Sequence, residues 1–210
     1  MTVALDERQA LIERAEAQFL EAIDLKKQFL TGNFIETLVL MAEKVQQAIV
    51  RGRKLLLCGN GGSAADAQHL AAELLVRLRS HRNRGAVPAI SLALDVSSIT
   101  ACANDFGFDR IYERMVEALG KPGDVLLGLS TSGRSKNVIK ALQFAQEKGL
   151  VTLGFLCSGG GEMNNHCDLS LIIPSHDPNR VQEVHIAAGH VLMDLIEEML
   201  ITRKHLHLVE

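Results

Sequence analysis

Five short, nearly continuous apolar runs, each followed by a stretch with helical spacing, govern what this chain can fold into. The runs cover residues 54–58, 88–92, 124–129, 150–156 and 169–173; the helical stretches cover about 64–78, 97–119, 135–148, 162–165 and 180–201. A strand that is apolar throughout is covered on both faces. Strands of that kind joined through helices form a parallel sheet with helices on each side. Right-handed crossovers then make it a doubly wound, Rossmann-like α/β fold of five parallel strands.

Ahead of this alternation, residues 1–52 read as two helices. The first covers about 5–30 and is broken by Thr31-Gly32-Asn33. Phe34, Leu38, Met41, Val45 and Ile49 then recur at helical spacing until Gly52. Asn33 with Glu36 has the form of a capping box. Extra helices on a complete sheet have apolar faces to hide. The expectation is one domain over 1–210, with an α/β core at 53–210 and a helical extension at 1–52 that serves association.

Composition narrows the partners. With 210 residues, 47% of them apolar, the chain has enough material for a packed core. A net charge of −3 gives no general electrostatic drive toward nucleic acid. No apolar run approaches the roughly 18 residues of a membrane span. Asp6, Glu7 and Arg8 leave no room for a signal-peptide core. The expected setting is the cytoplasm, with neither membrane nor nucleic acid as partner. Cys58, Cys102, Cys157 and Cys167 form no C-x-x-C pair. They read as reduced thiols that pack as small apolar side chains.

Chemistry concentrates after the first strand. Gly59-Asn60-Gly61-Gly62-Ser63-Ala64 has the spacing G-x-G-x-x-A, the weak form of a dinucleotide fingerprint. That fingerprint calls for an acid about 20 positions on. Residues 77–84 are basic instead, Arg-Leu-Arg-Ser-His-Arg-Asn-Arg, and Asp95 lies 36 past Gly59. NAD is therefore disfavoured, and without G-K-[ST] the loop is no P-loop. A tight turn remains, or an anion loop offering backbone N–H groups at a helix N-terminus. A second loop favours the anion. Ser130-Thr131-Ser132-Gly133-Arg134-Ser135 precedes a helix opening at Lys136 and carries more hydroxyls than one cap uses. Two such loops at the carboxyl ends of parallel strands share the crevice where α/β proteins bind ligands.

His69 and Glu73 are four apart and share a helix face. They read as an exposed polar pair, an acid–base pair or two metal ligands. Asn104-Asp105 reads as turn chemistry in a loop over 103–108. Gln182 and His190 sit on one helix, eight apart, about 12 Å along its axis and about 80° round it. Spacing alone does not bring them to one metal, and His190 also fits a core position. His81, His166, His176, His185, His205 and His207 read as surface or tail residues.

Taken together these motifs resemble one family. Cys58-Gly-Asn-Gly-Gly-Ser-Ala-Ala-Asp-Ala-Gln-His-Leu-Ala-Ala-Glu73 is similar to the signature of the phosphoheptose isomerases, sedoheptulose 7-phosphate isomerases of the sugar-isomerase (SIS) fold. Ala103-Asn-Asp-Phe-Gly-Phe108, Gly128-Leu-Ser-Thr-Ser-Gly-Arg-Ser135 and Arg180-Val-Gln-Glu-Val-His-Ile186 with His190 match in the same order. The resemblance implies a homotetramer in the bacterial cytoplasm. Its aldose–ketose isomerisation yields D-glycero-D-manno-heptose 7-phosphate, the first step toward ADP- or GDP-heptose for surface polysaccharide. It implies substrate contacts at Asn60, Gly61, Gly62, Ser63, Asp66, Glu73, Asn104, Asp105, Ser130, Thr131, Ser132, Ser135 and Gln182. It implies an acid–base pair at Glu73 and His190, and one zinc per subunit at His69, Glu73, Gln182 and His190. Position 179 is Asn where some of these isomerases carry an acid. Relatives of the same fold that bind the bacterial replication initiator without catalysis are the alternative. The presence of both acid–base positions favours the enzyme.

Overall fold

A computed structural model describes residues 5–208. Two helices lead, α1 (Leu5–Gln28) and α2 (Phe34–Val50). The alternating part follows as β1 (Leu55–Gly59), α3 (Gly62–Leu75), β2 (Ala89–Ser91), α4 (Val96–Phe106), α5 (Ile111–Leu119), β3 (Val125–Ser130), α6 (Lys136–Glu147), β4 (Val151–Leu156), β5 (Leu169–Ile172) and α7 (Pro178–Thr202). Short 3₁₀ turns cover Phe108–Arg110 and Glu162–His166.

The sheet is five-stranded and wholly parallel, in the order β2-β1-β3-β4-β5. Alternation along each strand feeds two cores. Leu55, Leu57, Leu127, Phe155 and Leu171 point to the side covered by α2, α3 and α7. Leu56, Cys58, Leu126 and Leu156 point to the side covered by α5 and α6. Because β1, β3 and β4 lie between other strands, their burial on both faces explains their unbroken apolar sequence. The chain winds one way from β1 to β2 and the other way through β3, β4 and β5. The switch point therefore lies between β1 and β3, where doubly wound sheets open a crevice.

Several expectations need correction. Residues 97–119 do not form one helix. Gly107, at φ 88°, ends α4, and a 3₁₀ turn precedes α5. Asn104 and Asp105 consequently sit in the last turn of α4, not in a loop. Asn33 precedes α2 without a side-chain cap; its carbonyl instead takes the Thr37 N–H and hydroxyl. The sharpest correction is His185, expected at the surface but fully buried. It shares the apolar face of α7 with Val181, Ala188 and Leu192, all of them buried. The cysteines are free, as expected.

The leading helices differ in how they are held. Along α2, Leu38, Met41, Ala42 and Val45 are buried in the core. From α1, Leu25 docks, as does Phe29 just past its end, and the Gln18 carbonyl accepts from Arg180 Nη1 at 2.7 Å. The rest of its apolar face stays open, with Phe19 73% and Leu20 60% exposed.

Candidate active site

The crevice at the switch point is bounded by the two loops singled out in the sequence. After β1, Gly61 caps the start of α3 at φ 55° and ψ −122°, a conformation that suits glycine. Gly62 makes room for Gln182, since a Cβ there would lie 2.2 Å from Gln182 Nε2 and push that side chain aside. That contact puts Gln182, from the first turns of α7, over the start of α3. Asn60 and Asn137 exchange two amide hydrogen bonds, each 2.8 Å, joining the β1 loop to the start of α6. Tyr112 donates its hydroxyl to the Gly59 carbonyl. Asn137 and Tyr112 escaped the sequence reading, because an Asn in a first turn and a single Tyr carry no local signal.

At the end of β3, Ser130 is buried. Its hydroxyl accepts the Gly133 N–H at 3.1 Å and pairs with Ser135 Oγ at 2.9 Å. Ser132 Oγ accepts the Arg134 N–H at 3.2 Å. Ser130 thus shapes the loop, while Thr131, Ser132 and Arg134 line a cavity of about 500 Å³ with Ser158, Gly159 and His176. Hydroxyls, an arginine and an open glycine backbone in one cavity suit an anion.

The titratable residues converge between α3 and α7. A mid-helix glycine ordinarily weakens a helix, but Gly189 lets the two helices meet. A Cβ there would lie 2.6 Å from the Leu70 methyls. This close contact places their sequence neighbours, His69 and His190, side by side. Their Nε2 atoms are 2.8 Å apart and their rings meet edge to face. Glu73 Oε1 lies 3.2 Å from His69 Nε2. Donor atoms of His69, Glu73 and His190 all lie within 4.8 Å of one another. Tertiary packing thus supplies the partner that helical spacing could not. Asp66, one turn before His69, is buried, and one carboxylate oxygen has no hydrogen-bond partner among the described residues. Burial pushes its carboxyl up, and the Gln182 amide and the nearby His69 and His190 partly offset that. Ser63 is buried in the first turn of the same helix.

Asn104 and Asp105 stand apart. Asn104 donates to Asp105 at 2.8 Å, and both are exposed. Asp105 lines a different cavity of about 540 Å³, apolar for the most part, between the edge strand β2, α4 and α5. That larger cavity holds none of the His or Glu cluster.

Comparison with known proteins places this arrangement. The SIS domain model matches residues 8–157. The phosphoheptose isomerase of Chlorobaculum parvum is 54% identical over 166 residues, 79% of each chain. The chain belongs to the phosphoheptose isomerase family. The family's enzyme from Clostridium acetobutylicum is 48% identical over 190 residues, 90% of this chain and 96% of the relative. Among solved structures, the phosphoheptose isomerase GmhA from Neisseria gonorrhoeae superposes with a TM-score of 0.83. It is 39% identical and covers 90% of this chain and 99% of that one. The fold expected from strand spacing is the fold of the family.

Proposed function

We propose that this chain isomerises sedoheptulose 7-phosphate to D-glycero-D-manno-heptose 7-phosphate through an ene-diol. One observation carries the reading: Glu73 converges with His69 and His190 in a chain whose relatives are phosphoheptose isomerases. Moving a carbonyl from C2 to C1 takes a proton from C1 and returns one to C2. Glu73 carries that proton, because a carboxylate set against a 2-hydroxy ketone reaches both carbons in turn. His190 moves protons between the O1 and O2 oxygens. The terminal phosphate binds at Thr131, Ser132 and Ser135, with the Ser130 hydroxyl shaping that loop. Asn60, Gly61, Gly62, Ser63, Asp66 and Gln182 grip the reacting end; Asn104 and Asp105, set apart from the His and Glu cluster, are sugar contacts on the family resemblance alone. Anchoring at both ends replaces a bimolecular encounter with a fixed geometry.

The donor set at the cluster fits a zinc ion. Two imidazoles and a carboxylate with an open position form a known catalytic pattern, which His69, Glu73 and His190 provide. Gln182 is the fourth ligand in this proposal. A bound zinc supplies polarisation of the carbonyl and stabilises the enediolate oxygen.

The reading extends to four copies associated through α1 and α2, supported by the open apolar face of α1. It extends also to a cytoplasmic enzyme supplying heptose for surface polysaccharide, as the family resemblance implies. Among the described residues, no helix is long and apolar enough to cross a membrane. The non-catalytic, initiator-binding alternative finds no support, since the acid–base residues are present and meet.

The test is an aldose–ketose assay on sedoheptulose 7-phosphate with wild type and Glu73→Gln. Turnover is expected in the first and a loss of at least about 10³-fold in the second. No turnover by wild type, with and without added zinc, rejects the reading.

A further inference from the structure

The basic stretch between α3 and β2 takes no part in the site just described, yet three of its arginines reach α7. Arg79 Nε lies 2.7 Å from Asp194 Oδ1, and Arg82 Nη1 lies 2.8 Å from Glu198 Oε2. Both pairs are at the surface. The third differs: Arg84 Nε donates to Glu197 Oε2 at 2.7 Å, and both side chains are 0% exposed. The rest of the Arg84 guanidinium is spent on backbone. Its Nη2 donates to the Glu73 carbonyl at 2.8 Å, and its Nη1 to the carbonyls of Leu74 at 2.7 Å and Gly85 at 2.9 Å.

These bonds fall where they matter. Helix α3 ends at Leu75, so the carbonyls of Glu73 and Leu74 belong to its last turn, where the helix itself offers no donor. A cation there also faces the negative end of the helix. Arg84 therefore caps α3 at the residue whose carboxylate faces His69. On the other side, Glu197 lies seven residues past His190. That places it within about 20° of His190 round α7 and about 10 Å along the axis. One guanidinium bolts together the two helices that carry the cluster.

We propose that Arg84, held by Glu197, is a positioning residue for the isomerisation: it fixes the last turn of α3, and with it Glu73, against the face of α7 that carries His190. A buried ion pair is a poor device for mere cohesion, because apolar residues of similar volume hold helices together as well or better. What an apolar pair lacks is the planar fork that reaches a carboxylate and the two α3 carbonyls of Glu73 and Leu74 at once. A displacement of about 1 Å at a reacting group costs on the order of 10²-fold in rate.

The proposal rests on the isomerase reading, and wild-type turnover of sedoheptulose 7-phosphate tests that reading separately. For the clamp itself, removing Glu197 alone strands the buried Arg84 guanidinium, and removing Arg84 alone leaves buried Glu197 only Arg82, at 3.5 Å. The informative variant is therefore the double replacement Arg84→Met with Glu197→Leu. It is expected to fold with a Tm near that of wild type. Its KM should stay within about threefold while kcat falls at least about 30-fold, since only transition-state geometry is lost. Its crystal structure should show Glu73 Oε1 withdrawn from His69 Nε2 beyond the 3.2 Å of the parent, a comparison that stands whatever the substrate. A folded double variant with wild-type kcat overturns the proposal, and so does an unmoved Glu73. If the double variant does not fold, Arg84→Lys decides. It keeps the charge but not the fork, so kcat should fall with KM unchanged, and a wild-type kcat there overturns the proposal.

Discussion

His185 shows what a single buried side chain can impose on the whole. Its Nε2 donates to the Leu156 carbonyl at 3.3 Å, at the end of β4, and its Nδ1 has no partner among the described residues. A second proton on that ring would be buried without an acceptor, so burial pulls the imidazole pKa down to about 4. Between this value and the ordinary 6.5, the unfolded chain binds a proton that the folded chain refuses. The contribution to stability is thus complete above pH 6.5 and is lost as pH falls toward 4, at about 1.4 kcal/mol per pH unit. Urea denaturation at pH 7 and pH 5 should show wild type losing about 2 kcal/mol more than His185→Gln across that interval. Equal losses in the two proteins would remove His185 as the cause. Residue type alone puts a histidine at the surface. The register of His185 with Val181, Ala188 and Leu192 on α7 carries the right answer.

At the scale of elements, the meeting of α3 and α7 decides the site. The strands were legible to within a residue or two, because apolar runs buried on both faces leave few other solutions. The helix pair was not. His69 and His190 are 121 positions apart, and their contact depends on Leu70 filling the space above Gly189. No periodicity within either helix encodes that. The arginines of 77–84 were legible only as the absence of an acid, because their partners lie on α7, more than 100 residues on. Gly189→Ala should cost about 1–3 kcal/mol in denaturant unfolding through overpacking against Leu70, and should lower kcat by moving His190 from His69. Adding Leu70→Ala to that variant restores the room and should recover part of the kcat loss, while the cavity it opens in the core keeps stability low. If the pair of changes has no better kcat than Gly189→Ala alone, the contact is not what sets the approach.

At the scale of the whole molecule, an open apolar surface lies on α1. Ile12, Phe19, Leu20 and Ile23 fall on one stripe of that helix, and each is more than 40% exposed. On the proposed reading of four associated copies, this stripe of large apolar groups is a surface that another copy covers. Light scattering should give four chains for the wild type and a smaller particle for Phe19→Asp with Leu20→Asp; a tetramer unaffected by both changes would place the interface elsewhere. The association reading from the sequence rested on the same helices, but it could not say which face of α1 stays open, since docking through Leu25, Phe29 and Arg180 decides that. One more property follows from α7, whose 25 residues span about 37 Å and bear Gln182, His190 and Glu197 in turn. A single residue gained or lost between any two of these would swing everything beyond it by about 100°. Along α7, then, letters can be exchanged with the register kept, but a change in the count breaks it.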